Sequence, residues 1–318
     1  MALTSHDVDR FQASRPRLEA LAYRLLGSAS EAEDAVQETF LRWQSAGVDR
    51  VEVPEAWLTK VLTNLCLNQL TSARARRETY VGQWLPEPLL AGDPMLGPAE
   101  TAEQRESVSY AVLVLLERLT PGERAVYVLR EAFGYPHREI AGILDITEAA
   151  SQQIHHRARK HVSDGRARKA AAGVDEAAAR RVVEEFLAAA ASGRTEPLVR
   201  LLTQDAVAVG DGGGKVPARS RALEGALAVA KFLRGLFRPA EAKRALVGGA
   251  ADMYAMTVNG GPAVVAVVGG RVVGVMCLEV TEDGIAAVRS QVNPDKLERV
   301  TRRWAAASDH GEPLLRAF

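Results

Sequence analysis

The spacing of apolar residues changes once along this chain, and that change dictates a helical part followed by a mixed one. In the first 168 residues the apolar positions recur at helical spacing, as in Leu18, Leu21, Ala22, Leu25 and Leu26. Gly27-Ser28 breaks this run. Ser30 is then expected as a helix N-cap, with Glu31 and Glu33 in a first turn that favours negative charge. Ala32, Ala35, Val36, Thr39, Phe40 and Trp43 form one apolar stripe, and Pro54 suits the first turn of a third helix after the loop 46–53. Trp57, Leu58, Val61, Leu62, Leu65 and Leu70 give that helix its core face.

Beyond residue 174 the pattern differs. A helix over 175–191 precedes valine-rich runs at 263–268, 271–280 and 285–292. Turn signals separate them: Asn259-Gly260-Gly261-Pro262, Gly269-Gly270 and Asp283-Gly284. The runs are apolar on both faces in places, which predicts a sheet covered by helices or enclosing a pocket. Residues 84–98 carry four prolines and two glycines, a density that disfavours regular structure and reads as a linker. The expected fold is therefore multidomain. Residues 5–83 and 99–169 are all-α, 174–298 are α+β, and 299–318 form a charged tail that begins as a helix.

The 40 basic and 40 acidic residues cancel, which argues against a protein that simply coats DNA but leaves room for local basic patches. Two cysteines, Cys66 and Cys277, stand far apart in apolar surroundings and are read as buried thiols. No run reaches the ~20 apolar residues of a membrane span. The chain reads as soluble and cytoplasmic, with neither metal nor cofactor.

One local patch is basic. Glu139-Ile140-Ala141-Gly142-Ile143-Leu144, the turn Asp145-Ile146-Thr147 and a helix from Glu148 have helix-turn-helix spacing, with the small Ala141 where two helices cross. The second helix carries His156, Arg157, Arg159 and Lys160, with Arg166, Arg168 and Lys169 beyond. Cations here would hold phosphate and set register, while Ser151, Gln152 and Gln153, near the helix start, would face bases. On the helix after Gly27, Asp34, Gln37, Glu38 and Leu41 fall at i, i+3, i+4 and i+7, opposite the core stripe. That polar stripe is either a solvated face or a docking surface for a basic partner.

With these motifs in hand the chain resembles a known family, the extracytoplasmic-function (ECF) sigma factors of bacterial RNA polymerase. Asp34-Ala35-Val36-Gln37-Glu38-Thr39-Phe40 is similar to the core-polymerase-binding helix of sigma domain 2. Ala56-Trp57-Leu58 through Asn64, Asn68, Arg74, Arg76 and Arg77 is similar to its promoter −10 helix. The helix-turn-helix resembles the −35 reader of sigma domain 4, although basic residues are common where this chain has Ser151, Gln152 and Gln153. The resemblance is closer still to the SigJ-like subgroup with a C-terminal SnoaL-like (NTF2-like) extension. Leu85-Pro86-Glu87-Pro88, Asp211-Gly212-Gly213-Gly214-Lys215 and Asn293-Pro294-Asp295-Lys296-Leu297 look like its motifs.

The resemblance implies that Asp34, Gln37, Glu38 and Leu41 bind the polymerase β′ clamp. It implies that Asn64 and Asn68 face the −10 element, that Arg74, Arg76 and Arg77 hold phosphate, and that loop 46–53 captures a flipped base. The two C-terminal motifs would set the arrangement of the sigma domains, making the extension a regulator with a possible small-molecule ligand. No histidine lies between His161 and His310, so the extension reads as non-enzymatic. Residues 211–215 lack phosphate-loop spacing. The alternative is a one-component helix-turn-helix regulator with a ligand domain, which would have no use for a polymerase-docking face.

Overall fold

The computed structural model describes residues 4–46, 51–78, 80–97, 102–165, 176–219 and 221–316. The chain forms two compact units, one of Met1–Glu78 with Gly92–Ala167, the other of Thr79–Ala91 with Arg168–Phe318. The proline-rich segment is thus divided. Its first part belongs with the C-terminal unit, and Gly92 onward belongs with the helical one.

The helical unit opens with α1 (Ser5–Leu26), α2 (Ala29–Ser45) and α3 (Pro54–Glu78). Thr4 and Asp7 form a capping box on α1, and Gly27, at φ 68°, closes it in the left-handed region. The N-cap of α2 is Ser28, whose hydroxyl accepts from the Glu31 amide, and not Ser30 two residues on. The apolar stripes of the three helices meet as their spacing requires, with Trp43 fully buried, its indole donating to the Asp7 carbonyl at 3.2 Å. A 3₁₀ turn at Pro94–Leu96 leads to α4 (Ala102–Ser107), α5 (Tyr110–Leu116) and α6 (Pro121–Tyr127). A Thr120–Glu123 capping box and Pro121 start α6, which runs on as a π-helical turn, Val128–Ala132. Then come α7 (His137–Leu144) and α8 (Glu148–Gly165).

Two buried arginines join these pieces. Arg24 of α1 donates to Ser107 Oγ at 2.9 Å, the Leu96 carbonyl at 2.7 Å and the Ala20 carbonyl at 3.2 Å. Arg124 of α6 donates to the Arg24 carbonyl at 3.3 Å and pairs with Glu117. Burial pulls the Arg24 guanidinium down to about 10 and that of Arg124 to about 9.

The C-terminal unit is α+β. After α9 (Glu176–Ala191) and α10 (Glu196–Leu201), the strands are β1 (Leu202–Asp211), β2 (Leu223–Glu224), β3 (Asp252–Val258), β4 (Gly261–Val268), β5 (Arg271–Thr281) and β6 (Gly284–Gln291). Helices α11 (Ala226–Phe237) and α12 (Glu241–Val247) lie between β2 and β3. The sheet order is β2-β1-β6-β5-β4-β3, antiparallel except for the β1–β6 pair. The core gathers Val183, Phe186 and Leu187 of α9, Leu233 and Phe237 of α11, and Met276 and Val288 of the sheet.

The charged tail from 299 onward belongs to this unit. A 3₁₀ turn, Pro294–Leu297, leads into α13 (Glu298–Ala306). Trp304 is buried there between Tyr254 and a stacked His310, and Leu314 and Leu315 pair with Met253. The amphipathic faces of α13 and the pairing beyond it account for this, because Val300 and Trp304 need a surface to cover.

Replacing Arg24 by Met keeps volume but takes the donor from Ser107 Oγ and the Leu96 carbonyl, while the Ala20 carbonyl keeps its helical partner. Hydrogen bonds from charged groups contribute about 1.5–3 kcal/mol each and share one side chain here, so the expected loss is about 3 kcal/mol. Urea unfolding followed by circular dichroism should show a lower midpoint at unchanged slope.

Candidate functional site

The polar stripe of α2 lies in solvent as its spacing predicts. Asp34 and Gln37 are exposed, Glu38 forms a surface pair with Arg42, and Leu41 is 51% exposed. A single leucine half in water is common on protein surfaces.

On α3, Lys60, Asn64 and Asn68 fall at i, i+4 and i+8 on one face. Asn64 is half-buried and Asn68 exposed. Lys60 Nζ donates to the Gly142 carbonyl at 2.9 Å and to Asp145 Oδ1 at 2.6 Å, and Thr59 Oγ1 shares a 3.1 Å hydrogen bond with Tyr135. The face that carries the two asparagines therefore also carries the contact to α7. Helix α3 continues through Arg74, Arg76 and Arg77, whose side chains lie outside the described residues, as does 47–50 of the loop. Beside that loop opens a cavity of about 390 Å³ lined by Arg10, Ser14, Arg17, Glu52 and Glu55.

In the helix-turn-helix, Asp145 makes the turn at φ 54° and Ala141 sits at the crossing. Gln152, Gln153, His156, Arg157, Arg159 and Lys160 are exposed. Ser151 is not among them. It is fully buried, and its hydroxyl bonds His137 Nδ1 at 2.9 Å, so it braces α8 against α7 and presents nothing to a groove. His155 also faces inward, to Glu131 at 2.7 Å, and that bond holds the Glu131 carboxyl below its usual range. Arg159 stands 3.9 Å from Glu131 and Arg157 3.9 Å from Glu123, with both guanidinium groups more than half exposed. Such long surface pairs contribute little and release easily. Burial would raise Glu123, but hydrogen bonds from Thr120 outweigh it and keep the carboxyl low.

The third constellation lies wholly in the C-terminal unit. Asp211, at the end of β1, is completely buried. Its Oδ1 accepts from Tyr80 at 2.7 Å and from the Gly213 amide at 3.0 Å. Its Oδ2 accepts from the Leu85 amide at 2.9 Å, Lys296 Nζ at 2.7 Å and Gln291 Nε2 at 3.2 Å. Lys296 also donates to the Leu85 carbonyl at 2.7 Å and lies 4.1 Å over the Trp84 ring and 4.9 Å over that of Tyr80. Asn293 Nδ2 donates to the Tyr80 hydroxyl at 3.0 Å, and burial together with Asp211 raises the Tyr80 phenol well above its ordinary value. Further along, Leu89 exchanges hydrogen bonds with Asn259, and Ala91 donates to Thr257.

The glycine loop is shaped for this contact. A Cβ on Gly213, at φ 59°, would fall 2.3 Å from the Asn293 amide nitrogen, and one on Gly212 would fall 1.9 Å from the Val216 carbonyl oxygen. Its amides turn inward, Gly213 to Asp211 and Lys215 to the Gly212 carbonyl, so it is a turn and not a phosphate cradle. Lys215 pairs with Asp295 at 2.7 Å in solvent, Pro294 starts the 3₁₀ turn, Leu297 is buried, and Gly214 packs against Val81. Both sequence motifs thus converge on residues 80–89. The sequence reading missed Tyr80 and Gln291, whose partners are 131 and 206 positions away and leave no local signal. Both thiols are buried, and burial pushes Cys277 up to about 12, which leaves it unreactive.

Comparison with known proteins agrees with this geometry. A model of sigma-70 region 2 matches residues 10–76, and one of sigma-70 region 4 matches 109–162. The ECF RNA polymerase sigma factor SigJ of Mycobacterium tuberculosis is 41% identical over 72% of this chain and 73% of its own length. A protein of the same species named "Probable ECF RNA polymerase sigma factor SigI" is 32% identical over 91% of this chain and 93% of its own. The crystal structure of M. tuberculosis SigJ superposes with a TM-score of 0.68 at 34% identity, covering 91% of this chain and 97% of that one. Two helical sigma regions, a helix-turn-helix and a C-terminal SnoaL-like sheet domain thus occur here in the order of those relatives. The chain belongs to the extracytoplasmic-function family of RNA polymerase sigma factors.

Proposed function

We propose that this sigma factor alternates between a packed form and an extended, promoter-bound form, and that its C-terminal domain favours the packed one by holding the linker. As a family member it directs RNA polymerase to promoters and supports initiation of transcription. In the extended form Asp34, Gln37, Glu38 and Leu41 dock on the β′ clamp. Asn64 and Asn68 face the −10 element, with Arg74, Arg76 and Arg77 on phosphate. Gln152, Gln153 and His156 face the −35 bases, with Arg157, Arg159 and Lys160 on the backbone. A base drawn from the −10 duplex enters near loop 46–53, where the neighbouring cavity offsets part of the unstacking cost of a few kcal/mol.

The observation that carries the packed form is the Lys60–Asp145 contact. The −10 and −35 elements are about 25 base pairs apart, or about 85 Å of duplex at ~3.4 Å per pair. With α3 joined to the turn before α8, the −10 and −35 residues cannot serve both elements at once, so the Lys60–Asp145 contact and the buried Arg24 and Arg124 contacts between the same two regions would all have to open. The segment joining the two sigma regions runs through residues 79–91. While Asp211 and Lys296 grip that segment, the joint is fixed; when they let go it becomes a free tether. No helix among the described residues is long and apolar enough to cross a membrane.

Two outcomes test this. Asp34→Arg should reduce core-polymerase binding and run-off transcription at least tenfold, whereas duplex binding by the helix-turn-helix stays intact; full output would remove the docking assignment. Lys296→Met leaves the buried Asp211 carboxylate without its cation, a change that costs about 3–5 kcal/mol in such pairs. Hydrogen exchange at residues 85–89 should quicken by at least tenfold and promoter-dependent output should rise. Faster exchange with unaltered output would separate the clamp from regulation.

A further inference from the structure

The C-terminal unit holds a cavity of about 200 Å³ on the side of β6 opposite the linker. Its wall is apolar: Phe237, Met253, Val264, Val275, Met276 and Val292. An apolar cavity of ~150 Å³ accepts a benzene-sized guest and stays free of water without one, so this space suits a single substituted ring of about ten non-hydrogen atoms. The cation closest to a pole for a charged ligand, Lys243, is committed elsewhere. Its ammonium donates to the carbonyls of Gly235 at 2.6 Å, Leu236 at 2.8 Å and Arg238 at 2.7 Å, which uses all three of its protons on the end of α11. Arg244 lies at the exposed rim. Inside, the polar group on offer is the Ser290 hydroxyl, half-buried and without a hydrogen bond among the described residues.

Two connections run from this cavity to the linker. Along β6, Ser290 and Val292 face the cavity, and Gln291 between them points the other way, to the Leu85 and Pro86 carbonyls and Asp211. The glycine loop is the second. Its first residue is Asp211, and Val216 and Pro217 at its far end line the cavity. Its backbone is closely folded and has no room for a side chain at Gly212, the Val216 carbonyl oxygen lying 1.9 Å from where a Cβ would be.

We propose that the cavity binds a small, neutral, mostly apolar molecule bearing one hydrogen-bonding group for Ser290, and that its occupancy is felt at the linker through the glycine loop and β6. The second half rests on the reading of this domain as the holder of the linker; the first does not. Helix α12, none of whose residues is buried, forms the outer wall and is the element a ligand would pass.

The test uses the full-length chain with methyl-labelled methionine, titrated with 4-ethylphenol. Met253 and Met276 line the cavity and Met95 lies in the helical unit, giving reporters and a control in one spectrum. Saturable shifts are expected at Met253 and Met276 with Met95 unmoved, and 4-ethylbenzoate should bind at least tenfold more weakly. Ala266→Leu should abolish the shifts by filling the space. If that variant fails to fold, Ser290→Ala serves in its place and should weaken 4-ethylphenol about tenfold. Exchange of the Leu85 amide should change at least threefold on saturation. No saturable shift, or equal binding of the carboxylate, overturns the site. Binding with unchanged Leu85 exchange overturns its transmission to the linker, while the grip on the linker is read separately from Lys296→Met.

Discussion

Asp211 is a carboxylate without contact to water, and such a group survives in a fold only when its charge is matched and its oxygens are saturated. Five donors meet it, and two of them, the Tyr80 hydroxyl and the Leu85 amide, belong to the linker. The C-terminal domain is therefore complete only with this piece of the inter-sigma segment in place. Two sequence motifs about 80 positions apart are the two sides of one clamp: the first supplies the carboxylate and the second the lysine that neutralises it. The glycines allow the backbone to come this close, and Asn293 fills the space that a side chain on Gly213 would take.

The helical unit uses the same principle with opposite charge. Arg24 and Arg124 are buried cations whose donors go largely to backbone carbonyls, so they tie α1, the turn before α4, and α6 into one body. The contact between α3 and the turn before α8 is of another kind. Lys60 and Asp145 are 39% and 73% exposed, and pairs of that sort contribute about 0–1 kcal/mol. Buried and surface joints thus both cross between the helices of residues 5–78 and those of residues 102–165, and the proposed opening would have to break both.

Much of this was legible in the sequence. Helices α1 to α3 follow from apolar stripes with glycine and proline at their ends, α7 and α8 from helix-turn-helix spacing, and β4 to β6 from valine runs between glycine turns. Strands β1 and β3 were not legible: Thr203, Gln204 and Asp205 open the first in polar character, and Ala255 and Met256 weaken the β signal of the second. Position on α8 gave Ser151 the same standing as Gln152 and Gln153, and only its tertiary partner, His137, separates them. The division of the proline-rich segment was hidden for a similar reason. Prolines announce a lack of regular structure, but whether such a segment is free or held depends on partners more than a hundred positions away, such as Asp211 and Gln291.

The most direct test of the account is a distance. Cysteines placed at the exposed positions Ser72 on α3 and Ser163 on α8, neither of them assigned to a DNA contact, can be spin-labelled selectively, because Cys66 and Cys277 are buried. Pulsed dipolar spectroscopy on the free chain and on its complex with core polymerase and promoter DNA would then read the separation of the two DNA-reading helices. The account predicts a single short distance in the free chain and an increase of several tens of ångströms, toward the ~85 Å between promoter elements, in the complex. The same short distance in a transcribing complex would contradict it.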